Sequence, residues 1–202
     1  MTAATAQEFI IGVDLGGTNI VTGALTPDGA HTCGVRSVPT EVASGAEGVV
    51  DHIVAAIEDT IAATMEETGV ARDAFRGVGI GAPGPLDRER GVVIVAPNLG
   101  WRNFPLRDRV VERIGLPATL DNDANCATLG EWWLGAARGA RHVIGLTIGT
   151  GIGGGLVFDG RLFHGASDVA GEIGHTTIDM DGRHCKCGNY GCLEAYASGP
   201  AI

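Results

Sequence analysis

The sequence predicts an α/β protein built from a duplicated domain whose second copy is incomplete. Apolar strand-like runs recur along the chain with helical-period stretches between them. Residues 144–158, "IGLTIGTGIGGGLVF", can be set under residues 11–25, "IGVDLGGTNIVTGAL". Both begin Ile-Gly, run through an apolar strand, turn on Gly and Thr and leave on a second strand, an internal repeat offset by 133 residues. Only 59 residues remain from Ile144 to the last residue, whereas a copy needs roughly 130 on the usual domain-size prior. The expectation is a truncated chain with domains at 1–121 and 122–202.

The elements follow in order. "EFIIGVD" (8–14) reads as a buried strand ending in a carboxylate, "LGGTN" as a turn and "IVTGALT" as a second strand. "PDG" marks a turn, and "AHTCGVRSV" a third strand. Ser44 and Glu47 have capping-box spacing. Val50, Val54, Ile57 and Ile61 then recur at helical spacing, so 44–68 is expected to be a helix stopped by Gly69. "GVGIGA" and "GVVIVA" read as strands around the rigid turn "PGPLD". A short helix is expected at 105–114, the strand "ATL" at 118–120, the turn "DNDAN" at 121–125 and a helix over 123–136. "ASGPAI" at the end reads as a helix beginning.

Composition narrows the function. Hydrophobic residues make up 45% of 202, enough for a sizeable core. The net charge of −10 and the lack of a basic run argue against nucleic-acid and anionic-membrane partners. No apolar stretch is long enough to span a bilayer, and "MTAATAQE" carries no secretory pattern. The expected location is cytoplasmic.

Four stretches carry chemistry. The two glycine turns, with Gly16, Gly17 and Thr18 in one and Thr150 and Gly151 in the other, let backbone N–H groups approach an anion. Either alone reads as a plain tight hairpin. As a pair, with Asp14 ending the first strand, they point to phosphate binding and a water-bridged Mg²⁺. "DNDAN" offers more amides and carboxylates than one helix cap needs. A carboxylate there can take a proton from a hydroxyl nucleophile in phosphoryl transfer. "GEIGH" carries Glu172 and His175, the histidine ten residues before "CKCGNYGC". His175, Cys185, Cys187 and Cys192 make a Cys₃His set suited to closed, structural Zn²⁺. His184 competes for the fourth position, and Cys187 with Cys192 could instead form a disulfide. C-x-C is not the C-x-x-C spacing of thioredoxin-like redox sites.

Taken together, "DLGGTN", "GAPGPLD", "PNLGW", "DNDAN", "TIGTGIGGG", "GEIGH" and "CKCGNYGCLE" resemble the successive motifs of the ROK family of sugar kinases and sugar-responsive repressors. The likeness runs from about residue 8 onward and is greatest to the bacterial glucokinases. It implies an actin-like ATPase (ribonuclease H-like) fold and ATP-dependent phosphorylation of glucose to glucose 6-phosphate, with Mg²⁺ and a structural Zn²⁺. By resemblance Asp123 is the catalytic base. Asn98, Asn122, Asp123, Glu172, His175 and Glu194 hold sugar hydroxyls, and Gly16, Gly17, Thr18, Thr150 and Gly151 cradle the ATP phosphates. The resemblance also implies a homodimer when full length. A non-catalytic sugar-binding fragment or sensor, or a kinase for fructose, mannose or an N-acetylhexosamine, are the alternatives. With about ten residues ahead of the first strand, a DNA-binding repressor is not expected.

Overall fold

A computed structural model describes residues 7–202, so the reading of "MTAATAQE" falls largely outside the described residues. The chain forms two compact units, Met1–Asn122 and Asp123–Ile202.

The first unit begins with β1 (Phe9–Leu15), β2 (Asn19–Leu25) and β3 (Thr32–Pro39). Next come α1 (Gly45–Thr68) and β4 (Phe75–Ala82). The short strands β5 (Leu86–Asp87), β6 (Val92–Ala96) and β7 (Trp101–Phe104) make a separate antiparallel sheet. Then α2 (Leu106–Ile114) leads to β8 (Ala118–Asn122). The main sheet has the order β3-β2-β1-β4-β8, antiparallel through β1 and parallel from β1 to β8. Ile11, Val13 and Leu15 alternate onto one buried face, as period-two patterning requires. α1 lies on that face with Val49, Val50, Ile53, Ile57 and Ile61 buried. Thr22, opposite Val13, approaches Thr60 of α1 with hydroxyl oxygens 2.7 Å apart. Gly69 ends α1 in the left-handed region, its N–H donating to the Met65 carbonyl.

The second unit contains α3 (Asp123–Trp133), then β9 (His142–Ile148), β10 (Ile152–Phe158) and β11 (Arg161–Leu162) in an antiparallel sheet ordered β11-β10-β9. α3 covers one face, with Thr128 against the backbone of Gly145 and Gly155. After β11 the chain is largely irregular until α4 (Glu194–Ala197).

Five details depart from the sequence expectations. The capping box does not form. Glu41, at φ 51°, turns the chain into a 3₁₀ turn at Val42–Ser44, so Ser44 is already helical and its hydroxyl donates back to the Glu41 carbonyl at 2.7 Å. Glu47 instead pairs with Arg109 and Arg113. "DNDAN" is not a turn: Asp121 and Asn122 end β8 in register with Gly81 and Ala82, and α3 starts at Asp123. β7 was not expected. "ASGPAI" forms one 3₁₀ turn, Gly199–Ala201, after α4. Finally, the repeat slips by one residue at its turn: Leu15 pairs with Ile20, but Ile148 pairs with Ile152.

Ile57 is fully buried, so Ile57→Ala should lower stability in urea unfolding by about 2–5 kcal/mol. Ile144→Ala, at a position 66% exposed, should change it by less than about 0.5 kcal/mol.

Candidate functional site

In the first unit β1 delivers Asp14 to the turn at residues 16–18. Asp14 is exposed at the strand end, and desolvation by the atoms around it pushes its carboxyl above the usual range. The Gly16 N–H donates to the Asn19 carbonyl at 2.9 Å. Thr40 braces the turn from outside: its hydroxyl donates to the Gly16 carbonyl at 2.7 Å and its N–H to the Thr18 carbonyl at 2.9 Å. Asn98, in the 3₁₀ turn Pro97–Leu99, lies against Gly17, where a Cβ would sit 3.1 Å from the Asn98 Cβ. The missing side chain is what lets Asn98 approach the turn.

At the end of β8, the Asn122 N–H donates to Asp121 Oδ1 at 2.8 Å, and Asn122 Nδ2 reaches the Gly84 carbonyl at 3.5 Å. Arg88 holds Asp121 at 3.0 Å, fixing the strand end from which Asn122 projects. In the second unit, Asp123 opens α3 and its Oδ1 accepts the Ala124 N–H at 2.8 Å.

The remaining candidates gather around the cysteines. One nitrogen or sulfur atom from each of His175, Cys185, Cys187 and Cys192 lies within 4.8 Å of all the others. Cys187 and Cys192 Sγ are 3.7 Å apart, and His175 Nδ1 is 3.7 Å from Cys185 Sγ. Tetrahedral Zn²⁺ with 2.3 Å bonds to sulfur sets its ligand atoms about 3.8 Å apart. The donor set therefore fits that ion in both chemistry and spacing. All five cysteines are unbridged. His184 packs edge-on to the Tyr190 ring at 5.0 Å and takes no part in the cluster. Burial and the neighbouring thiols push Cys192 up to about 12, while the Asn189 N–H holds Cys187 below the usual thiol range. Buried thiolates side by side need a compensating cation, which a metal supplies.

Two carboxylates flank this cluster. Glu172 Oε2 stands 3.8 Å from His175 Nε2, the nitrogen turned away from the thiols. Glu194 Oε2 accepts the Ile152 N–H at 2.8 Å, and its Oε1 lies 3.8 Å from Cys185 Sγ. A Cβ on Gly151 would meet the Glu194 carboxylate, so a side chain there would displace that carboxylate. Sequence reasoning missed three supports. Thr40 braces the first turn. Tyr196, whose hydroxyl donates to Asp179 at 3.2 Å and accepts the Arg183 N–H at 2.8 Å, ties down the loop before the cysteines. Arg88 was the third. None of them belongs to a short local pattern.

The mixed sheet of the first unit and the glycine-turn strand pair repeated in the second define an α/β fold of the actin-like ATPase, ribonuclease H-like class. The chain matches the ROK family over residues 10–202 and belongs to it. It is similar to a glucokinase of Thermotoga maritima, 44% identical over 194 residues that make up 96% of this chain and 58% of that protein. A putative xylose repressor of Caldicellulosiruptor sp. is 38% identical over 195 residues, 96% of this chain and 47% of that one. The crystal structure of a ROK family glucokinase from Streptomyces griseus, in complex with glucose and AMPPNP, superposes with a TM-score of 0.81 at 44% identity, covering 96% of this chain and 58% of that one. The chain thus spans less than two thirds of the length of these relatives.

The cluster predicts one tightly held Zn²⁺ per chain by elemental analysis. Cys187→Ser and His175→Ala should each lose it. Since the ligands must be deprotonated, acidification should release the metal and rising pH should restore it. A chelator dye that records zinc release against pH, for wild type and both variants, checks this.

Proposed function

We propose that the chain carries the sugar- and phosphate-binding machinery of an ATP-dependent hexokinase of the ROK type, acting on glucose at its 6-hydroxyl. The observation that carries the reading is the placement of Glu194. Its carboxylate touches both the start of β10, beside the Thr150–Gly151 turn, and Cys185 of the metal cluster. The relatives' names support the sugar kinase class.

In this reading the N–H groups and hydroxyls of Gly16, Gly17, Thr18, Thr150 and Gly151 bind ATP phosphates. Asp14 supplies a hard oxygen ligand suited to a hydrated Mg²⁺. That ion, when bound, neutralises charge on the phosphates. Asn98, Asn122, Glu172, His175 and Glu194 orient the sugar through its hydroxyls. His175 binds Zn²⁺ through Nδ1, so its Nε2–H is left to a hydroxyl or to Glu172. The zinc's contribution is to fix that ring. Asp123 accepts the 6-hydroxyl proton. Full deprotonation before attack is unnecessary, because phosphoryl transfer depends mainly on positioning. Residues 1–121 and 122–202 serve as the N-terminal domain and part of the C-terminal domain, with the zinc-binding insert at about 175–194.

A second reading, sugar binding without turnover, rests on the similarity to a xylose repressor. Phosphotransfer from ATP to glucose, measured with equilibrium glucose binding on the same samples, separates the two. Binding with no transfer supports the second, and neither sinks both. Under the first reading, Asp123→Asn should lower kcat by about 10²–10⁴ with little change in glucose affinity. Asn122→Ala should weaken glucose binding while zinc stays bound. A near-normal kcat in Asp123→Asn would remove Asp123 from the base role.

A further inference from the structure

Thr40 is buried, and each of its polar groups holds a neighbour. Its hydroxyl donates to the Gly16 carbonyl at 2.7 Å, and its N–H to the Thr18 carbonyl at 2.9 Å. Its own carbonyl lies 3.1 Å from Nδ1 of His52. A carbonyl only accepts, so that bond requires the ring hydrogen on Nδ1. His52 stands on α1 next to Ile53, which is fully buried, so the packing of the helix fixes where the ring can reach.

The peptide planes make this brace directional. Among the described residues every peptide bond is trans. In a trans peptide the N–H points opposite to the C=O of the same plane. Holding the Gly16 carbonyl against Thr40 therefore aims the Gly17 N–H away from Thr40. That N–H takes no part in the strand ladder or in the closure of the turn. The second turn is tied at the corresponding atom by a different donor. The carbonyl of Gly149, the repeat counterpart of Gly16, accepts the Gly199 N–H at 2.8 Å, which aims the Thr150 N–H away from Gly199. Two unlike donors on corresponding carbonyls mark that carbonyl as one each turn needs held.

His52 also grips the residue after Thr40. Glu41 lies in the left-handed region at φ 51°, uncommon for a residue other than glycine, where the chain bends from β3 toward α1. Its carbonyl accepts the Ser44 N–H at 2.9 Å, and its carboxylate lies 3.6 Å from His52 Nε2. One imidazole thus spans the peptide between Thr40 and Glu41, with a nitrogen on each side. Backbone in a sparsely populated region persists only where its surroundings fix it.

We propose that His52 is a positioning residue for the first glycine turn, holding Thr40 so that the turn presents the Gly17 N–H to an anion. It acts through Thr40 and touches no anion itself. Without the Nδ1 donor, Thr40 loosens, and the Gly16 and Thr18 carbonyls lose a fixed partner. The brace stands on these contacts alone, whereas its consequence for phosphate rests on the kinase reading of the turn.

Amide exchange and anion titration on the 202-residue chain, both read by amide NMR spectra, test this. His52→Leu removes the donor, and His52→Asn returns an amide N–H near the place of Nδ1. In His52→Leu the Gly16 and Thr40 amides should exchange about two- to tenfold faster, the worth of one net hydrogen bond. The amides of Val13 and Ile80 should keep wild-type rates and report that the sheet is intact. Inorganic tripolyphosphate with Mg²⁺ should shift the Gly17 amide of the wild type and bind His52→Leu about two- to tenfold more weakly. His52→Asn should restore both exchange and affinity. In a Thr40→Val background, His52→Leu should cost less affinity, because the hydroxyl that carries its effect to Gly16 is gone. Unchanged Gly16 and Thr40 exchange in His52→Leu overturns the proposal, and so does an unchanged affinity beside a wild type that binds. Loss in His52→Asn equal to that in His52→Leu removes the donor role and overturns it too. Faster exchange beside a wild type that does not bind tripolyphosphate upholds the brace and sinks the phosphate reading of the turn instead.

Discussion

The carboxylate of Glu194 ties together two parts of the second unit that lie far apart in sequence. One oxygen accepts the N–H of the first residue of β10, and the other faces the sulfur of Cys185. An ionised acceptor makes a stronger hydrogen bond than a neutral one. That bond fixes the start of α4, and Leu193 just before it donates to the Thr176 carbonyl at 3.0 Å beside His175. The cysteine loop, the histidine and the glycine turn are thereby held in one frame. Ile152 and the Thr150–Gly151 turn cannot shift without moving the group that faces the metal cluster. In the sugar kinase reading, this frame sets the distance between phosphate-binding and sugar-binding groups.

The frame matters because the second unit has little apolar core. The large cluster of buried hydrophobics lies in the first unit, from Phe9 to Leu120. In the second, the buried hydrophobics among the described residues are Ala124, Ile152, Val157, Cys185 and Cys192, and two of those belong to the candidate metal cluster. Burying a Val or Ile side chain stabilises by about 1.5–3 kcal/mol. Structural zinc contributes about 10–16 kcal/mol in small peptides, as much as the whole stability of a typical domain. In the irregular stretch between β11 and α4 the buried hydrophobics among the described residues are Cys185 and Cys192 of the Cys₃His set, so a metal held there would contribute more to its order than hydrophobic burial does.

The elements legible in the sequence were those with long, unbroken periodicity. Ile11, Val13 and Leu15 alternate, and Val50, Ile57 and Ile61 recur at helical spacing ahead of a glycine stop. β7 was not legible. It has four residues, and its Trp101 is buried beside Phe104 at a ring distance of 4.5 Å, a contact no local pattern announces. The β8–α3 junction was misread because pairing with β4 carries the strand through Asp121 and Asn122, overriding their turn preference. In the candidate site, donor type and close spacing made the Cys₃His set legible. The Glu194–Ile152 bond was not, since it joins residues 42 apart.

The one-residue slip between the repeats also has a chemical consequence. In the first turn the Gly16 N–H is taken by the carbonyl of Asn19, three residues on. In the second, the Gly149 N–H is taken by Gly151, two residues on. Each turn therefore closes on itself through its first glycine. The N–H groups of Gly17 and Thr18 in one turn, and of Thr150 and Gly151 in the other, take no part in that closure or in the strand ladders. Successive N–H groups held this way in a tight turn form an anion-binding concavity. The longer first turn also makes room for Asn98 against Gly17, whereas the shorter second turn has Glu194 against Gly151. A neutral amide beside one turn and a carboxylate beside the other make the two electrostatically unequal. In the sugar kinase reading a phosphate near the second turn would be repelled by Glu194 at close range, so the first turn would be the stronger phosphate site.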